Sequence, residues 1–377
     1  MQDIKEIRHR LHAHPGLSGE EIFAHDLVVD FLRDCRPTEV FAHVGGYGVV
    51  AVWGDNRSLP TLVFRADTDA LPIHEATDLA YKSEIPFVSH KCGHDGHTSI
   101  LLRLAELLGE HCEELNSNII LVFQPEEETG LGSQKILDSG ILQQYNVKGV
   151  FGIHNLPGYH EGTVVLNYHT FAAASTGVVY SLVGRQTHAS TPEKGLNPGL
   201  AVAEIVQRMD QLNGKKNVTP DAFQQSTLIC VRVGEEAFGT SAGEAQVMFT
   251  LRTFSNERMG QLMDKANGIV AEVASKYGLT TSYELRDPFH ATENDSMIVE
   301  QLEEILCEDH KVVTAITPFR WSEDFANYLI RFPGAMFGIG AGEKHAELHH
   351  PDYDFPDEII EPTAQMFWKV AQEFSDN

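Results

Sequence analysis

The sequence predicts an α/β protein. It has a mostly parallel-sheet catalytic domain covered by helices, with an inserted, smaller α+β satellite domain made of an antiparallel sheet and two helices. Three observations predict it. Through the first half, short β-rich apolar runs alternate with longer segments of 3.6-residue periodicity. Near residue 173 that alternation gives way to a compact block with its own strands and helices. The polar clusters of the first half directly follow apolar runs, where open α/β sheets gather their ligands.

Taken in order, residues 20–32 read as a helix and 47–53 and 61–65 as strands. A helix over 98–114, a strand over 118–124, a helix over 133–145 and a strand over 147–154 complete the first half. The block that follows reads as strand 176–183, helix 197–212, strands 226–233 and 244–253, helix 256–277 and strand 281–285. Helices at 295–308 and 323–330, strand 334–340 and an amphipathic helix at 358–374 then return to the first pattern. The expected domains are therefore 1–172 with 286–377, and an insert at 173–285, which is large enough to hold its own core.

Composition narrows the function. The chain has 377 residues, is 42% hydrophobic and 22% charged, and carries a formal charge of −26. So acidic a surface disfavours nucleic acid and anionic membranes, which call for clustered Lys and Arg. No apolar run reaches the roughly 18 residues of a spanning helix. The first ten residues lack the apolar core of a secretory signal. Five scattered cysteines point to reduced thiols and a cytoplasmic home. Cys35, Cys112 and Cys307 fall in helix-like segments and read as inert.

The densest chemistry lies in His90-Lys-Cys-Gly-His-Asp-Gly-His97. A thiolate and neutral imidazoles, with glycines to turn the backbone between them, suit a borderline divalent ion. Cys92 and His94, two apart, would share one side of an extended segment. Glu126, Glu127 and Glu128 follow the apolar run 118–124 and would raise one another's pKa unless a cation intervened. They read either as a solvated turn or as a metal ligand beside a general base. Asp67 and Asp69 follow run 61–65, and His154 ends run 147–154, where a core histidine is the plain alternative. His345, His349 and His350 add imidazoles near the end. Together these residues could form a two-metal hydrolytic site.

These residues resemble those of the metal-dependent N-acyl-amino-acid amidohydrolases, a branch of the aminoacylase and carboxypeptidase superfamily. Hippurate hydrolases, auxin-conjugate hydrolases and N-acetyl-diaminopimelate deacetylases belong to that branch. The likeness runs through His9-Arg-Leu-His-Ala-His-Pro-Gly-Leu-Ser-Gly-Glu-Glu21, Arg65-Ala-Asp-Thr-Asp-Ala-Leu-Pro72, Cys92-Gly-His-Asp-Gly-His97 and Phe123-Gln-Pro-Glu-Glu-Glu128. It continues through His154-Asn155, Gly184-Arg-Gln-Thr-His-Ala189, Ser322-Glu-Asp-Phe325 and His349-His-Pro351. The resemblance implies two divalent ions (Zn, Mn, Co or Ni) held by Cys92, His94, Glu128, His154 and His349, with Cys92 bridging. His350 is adjacent to His349 and could replace it. Glu127 is implied as the general base for a water between the metals, and Asp67 as the carboxylate that orients a ligand. His188 is implied as the donor that steadies the oxyanion, often from a partner subunit, with an ordinary turn histidine as the alternative. Arg252 and Asn155 are implied substrate contacts, though Arg252 could equally be a structural ion-pair partner.

The implied activity is hydrolysis of N-acyl amino acids by a homodimer joined through the satellite domain, which would also act as a lid. A dipeptidase or carboxypeptidase is the rival from the same superfamily. A non-catalytic metal-binding homologue is the rival from another class. Two departures bear on specificity: Phe238-Gly-Thr-Ser-Ala-Gly-Glu244 replaces the branch's usual loop, and Trp321 stands where a small residue is common.

Overall fold

A computed structural model describes residues 3–214 and 222–374. The chain divides into two compact units: Met1–Phe171 with Thr292–Ile316 and Glu323–Asn377, and Ala172–Ala291 with Thr317–Ser322. Strand β12 (Thr280–Phe289) runs past the expected edge of the insert at 285, and the short segment Thr317–Ser322 joins the second unit.

The first unit is built on an eight-stranded sheet. In chain order its strands are β1 (Glu39–Val44), β2 (Gly48–Trp53), β3 (Pro60–Asp67), β4 (Asn118–Gln124), β5 (Asn146–Pro157), β6 (Val164–Leu166), β13 (Val312–Thr314) and β14 (Gly334–Gly342). The spatial order is β1-β2-β4-β3-β5-β14-β6-β13. The centre is parallel, with β3 paired to both β4 and β5, and β5 to β14. Antiparallel pairings flank it at β1–β2, β2–β4 and β14–β6. Every residue of β4 is buried, as a continuous apolar run covered on both faces requires.

Helices α1 (Ile4–Ala13), α2 (Ile22–Leu32), α3 (His94–His111), α4 (Gly132–Asp138), α7 (Ser296–Leu306), α8 (Ala326–Leu329) and α9 (Ile360–Glu373) complete this unit. Its core joins Trp53, Phe64, Phe151 and Phe337 of the sheet to Leu101 and Leu108 of α3, Leu302 of α7 and Phe367 of α9. Asp295 starts α7 by accepting from the amides of Met297 and Ile298.

Three helix boundaries differ from expectation for local reasons. Helix α3 starts at His94, four residues early, because Gly93 adopts φ +92 and turns the chain into it. Helix α4 stops at Asp138 because Gly140, at φ +72, closes it with a left-handed residue. Helix α8 is a single turn, and the side chains of Glu323 and Asp324 before it are held by buried Arg65.

The second unit has a sheet of order β12-β7-β11-β9, all antiparallel, with β7 at Ala174–Val183, β9 at Gln224–Val233 and β11 at Glu244–Thr253. Burial alternates along β7 and β11, and the inner residues Val178, Tyr180, Val247 and Phe249 pack with helices α5 (Gly199–Asp210) and α6 (Asn256–Lys276). A two-stranded ribbon pairs β8 (Thr187–His188) with β10 (Thr240–Ser241). Among the described residues no helix is long and apolar enough to cross a membrane.

Candidate metal centre

Strand register brings the sequence clusters to one edge. Asp67 pairs with Gln124 across β3 and β4, so the turns carrying Asp69 and Glu126–Glu128 leave the sheet side by side. Arg65 pairs with Gly152 on β5, which puts His154 two residues further along at the same edge. The 90–97 segment closes over that edge. A Cβ on Gly93 would stand 2.6 Å from Asn155 Oδ1, and one on Gly96 2.4 Å from the Phe355 ring, so only glycine lets the segment sit so close.

Five residues expected to hold metal converge there. Cys92, His94 and His154 have ligand atoms within 4.8 Å of one another, and so do Cys92, Glu128 and His349. Cys92 belongs to both groups, and its Sγ lies 3.5 Å from His154 Nε2. His94 Nε2 is 3.8 Å from Glu128 Oε1 and 4.0 Å from Glu127 Oε2, while His349 Nε2 is 3.5 Å from Glu128 Oε1. His350 turns toward Asp352 instead, at 3.6 Å.

The nitrogen–oxygen separations are long for hydrogen bonds. They suit donors spaced around a shared ion, where N and O ligands about 2.1 Å from a metal stand roughly 3.4 Å apart. The buried atoms His94 Nε2 and Glu128 Oε1 have no hydrogen-bond partner, a costly state that a cation would relieve. The donor set of one thiol, three imidazoles and a carboxylate fits divalent transition metals.

The electrostatics report the same shortage of positive charge. Burial raises the Glu127 carboxyl well above its usual range, and Glu323 and Glu128 push it further. Burial likewise lifts Asp324 to about 7, against the pull of Arg65. The Cys92 thiol is raised well up by burial, then by Glu128 and Glu127, a tendency that a bound dication reverses. Burial holds His154 well below its usual value, so it stays neutral and able to donate a lone pair. Burial would do the same to His94, but Asp67 and Asp69 outweigh it and raise that ring to about 10.

The contact that orients His94 comes from Asp69, not from Asp67. His94 Nδ1 lies 2.9 Å from the Asp69 carbonyl and 3.2 Å from its Oδ1. Asp67 Oδ1 instead meets His97 Nδ1 at 2.6 Å, and its Oδ2 accepts from Arg65 Nη1 at 2.7 Å. Only Thr68 separates these carboxylates, but strand β3 ends at Asp67, so Asp69 already lies in the turn beyond it.

Asn155, expected to touch substrate, is fully buried. Its Oδ1 meets His97 Nε2 at 2.5 Å, and its Nδ2 donates to the Tyr353 hydroxyl at 2.5 Å. Buried Arg65 was not among the expected site residues. It donates to Gln124 Oε1, Asp67 Oδ2, Glu323 Oε1 and Asp324 Oδ1, and the Asp324 amide reaches Glu127 Oε1 at 3.4 Å. Alternation along β3 was the available signal, since residues 65 and 67 share a face.

In the second unit, His188 is exposed on β8, and its Nδ1 lies 2.7 Å from Ser190 Oγ. The altered 238–244 loop supplies its neighbour strand, with Thr240 opposite His188. Arg252 donates to the Arg320 carbonyl at 2.8 Å and to Ser322 Oγ at 2.9 Å, so no carboxylate among the described residues takes its charge. Trp321 stacks on Phe319 with ring centres 5.2 Å apart.

Comparison with known proteins extends along the whole chain. The family model for peptidase family M20/M25/M40 matches residues 63–373. An N-acetyl-L-cysteine deacetylase of Bacillus subtilis is 28% identical over 376 residues, covering 98% of this chain and 88% of the relative. The IAA-amino acid hydrolase ILR1-like 5 of Arabidopsis thaliana is 30% identical, covering 98% and 86%. Among solved structures, the YXEP protein of Bacillus subtilis, described as a dinuclear metal-binding peptidase of the M20 family, superposes with a TM-score of 0.85 at 25% identity. That match covers 98% of this chain and 96% of that one.

Proposed function

The chain belongs to peptidase family M20/M25/M40, and from that premise we propose that it hydrolyses the amide bond of N-acyl amino acids at a two-metal centre. The carrying observation is that Cys92 is shared by two ligand groups with buried Glu127 beside them. Relatives whose names describe deacylation of amino acids support the choice over a peptidase.

Cys92, His94, Glu128, His154 and His349 would hold the ions, with Cys92 common to both. Two bound divalent ions, whether zinc, manganese, cobalt or nickel, would supply Lewis acidity for the scissile carbonyl and make a nearby water easier to deprotonate. Glu127 takes the proton from that water. It then passes that proton to the leaving nitrogen. Asp69 fixes the His94 ring, and Arg65 restrains Asp67, Glu323 and Asp324 around the base. His188 serves as donor to the developing oxyanion and Arg252 as partner of the substrate carboxylate. The second unit, read as a satellite domain that closes as a lid, carries the homodimer contact. Five free cysteines agree with a reducing, cytoplasmic setting.

The test is elemental analysis followed by turnover of N-acetyl, N-benzoyl and dipeptide substrates by the metal-loaded protein. Two metals per chain and a preference for N-acyl amino acids are expected. Preference for dipeptides would replace this reading with a peptidase, and retention of metal without turnover of any amide would replace it with a binding protein.

A further inference from the structure

One motif of the sequence remains without a role: the stretch Pro15-Gly-Leu-Ser-Gly-Glu-Glu21. Among the described residues, no group that could hold a metal ion includes any part of it. Leu17 bridges to Ala70, and the Ala70 amide donates to the Gly16 carbonyl at 2.8 Å, so the stretch is fastened to the turn that leaves β3. Ser18 Oγ donates to Asp69 Oδ2 at 2.7 Å. The same Asp69 oxygen accepts from the Glu128 amide at 3.0 Å.

Glu21 completes the arrangement. It is fully buried at the start of α2, and its Oε1 accepts from the Gly19 amide at 2.8 Å and from the Glu126 amide at 3.0 Å. Glu126 is a non-glycine residue at φ +55, a left-handed conformation that costs of order 1 kcal/mol or more unless the surroundings impose it. That bend is what presents Glu127 and Glu128 in succession after β4. The other Glu21 oxygen, Oε2, is buried with no partner, so the carboxyl is desolvated without compensation there. Burial accordingly raises it to about 7. A core-stability role alone would be served better by an apolar side chain.

We infer that Glu21, assisted by Ser18 through Asp69, is a positioning residue that holds the strained Glu126 bend and so aims Glu127 and Glu128. The inference rests on the proposed roles of those two glutamates. It differs from the roles of the metal ligands, because neither Ser18 nor Glu21 supplies a ligand atom. Its physical content is one acceptor oxygen placed against the Glu126 amide. A glutamine at position 21 keeps that oxygen, and an alanine removes it.

The experiment compares Glu21→Ala with Glu21→Gln, measuring cobalt affinity of the metal-free protein as well as kcat and KM of the loaded one. Glu21→Ala is expected to weaken cobalt binding about 10–100-fold and to lower kcat over a similar range with KM little changed. Glu21→Gln is expected to restore both to within about threefold of the parent, which a role confined to stability would not produce. Should Glu21→Ala fail to fold, Ser18→Ala stands in, with an expected loss of cobalt affinity of about 3–10-fold. Unchanged cobalt affinity and kcat in folded Glu21→Ala, or in Ser18→Ala where it stands in, overturns the inference. Equal impairment of the alanine and glutamine variants does so too. A parent protein that binds cobalt but cleaves no N-acyl amino acid would sink the proposed activity alone, because the cobalt affinities would still decide this point.

Discussion

Two buried charge clusters draw on the 90–97 segment, and they are built on opposite principles. In the first, Arg8, His12 and Lys91 interleave with Glu75 and Asp95. His12 bonds Asp95 at 2.7 Å and Glu75 at 3.0 Å, while Lys91 Nζ reaches Glu75 at 2.7 Å and the Tyr353 carbonyl at 2.7 Å. In the second, Asp67, Asp69, Glu127, Glu323 and Asp324 are buried against Arg65 and the rings of His94 and His97. The first cluster pairs each cation with a carboxylate of its own, Arg8 with Asp354 and Asp357, His12 with Asp95 and Lys91 with Glu75. The second is short of positive charge, with Glu127 and Asp324 both raised. An internally balanced network is a structural element, whereas one in deficit marks where ions from solution belong.

Perturbing the deficient cluster at its base gives the largest expected effect. Glu127→Gln should lower kcat about 10²–10⁴-fold while metal content, read by elemental analysis, stays the same. Equal turnover in that variant would remove Glu127 as the base. Perturbing the balanced cluster should instead cost stability. Lys91→Met leaves Glu75 with His12, Thr77 and the Ser83 amide but without its ammonium partner, and should cost about 1–3 kcal/mol in denaturant unfolding, with turnover per folded molecule little altered. A loss confined to kcat would blur the contrast between the two clusters.

Chelation sharpens the comparison further. Ions at about 100 times their dissociation constant should stabilise the parent by roughly 2.7 kcal/mol, and Cys92→Ala should abolish most of that gain. Persistence of the full gain in Cys92→Ala would place the ions elsewhere. The smallest effect is one of pH. Burial opposes a charge on His12, yet Asp95 and Glu75 overcome it and raise the ring to about 9. A raised histidine contributes stability fully below its unfolded value of 6.5, and the contribution is lost as pH rises through about 9. Unfolding free energy should therefore fall over that window and stay flatter in His12→Asn. An identical slope in both proteins would assign the effect to another group.

Much of the deficient cluster was legible in the sequence, because its donor types are rare in combination and its strands are strongly patterned. The rule that ligands gather at carboxyl ends of parallel strands pointed to the Asp67, Glu126–Glu128 and His154 clusters, while the ligand set Cys92, His94, Glu128, His154 and His349 came from the family likeness. Choosing His349 over His350 rested on the family likeness; in the structure His349 faces Glu128, and φ +63 at that residue is not a property its type announces. Both Asp67 and Asp69 stood out, but the family likeness gave the orienting role to Asp67, and the point where a strand gives way to a turn is the least certain part of any sequence reading. Arg65, Glu323 and Asp324 escaped for a different reason. They are 258 and 259 positions apart in the chain, and a buried ion cluster has no local periodicity to betray it. The edge strands β1 and β13 were also missed, being short and largely exposed or half-buried.

One backbone hydrogen bond closes the site: the His349 amide donates to the Lys91 carbonyl at 2.8 Å. Strand β14, which precedes it, slots between β5 and β6 in the middle of the sheet. During synthesis, then, the chain emerges with its cysteine ligand early and its last imidazole some 250 residues later. At about 5–20 residues per second this is an interval of tens of seconds, in which the first half waits with a gap in its sheet and an unfinished cage. On the proposed ligand set, ion capture would wait until His349 has emerged, so that a truncated product lacking β14 and His349 would carry an acidic pocket that grips metal poorly.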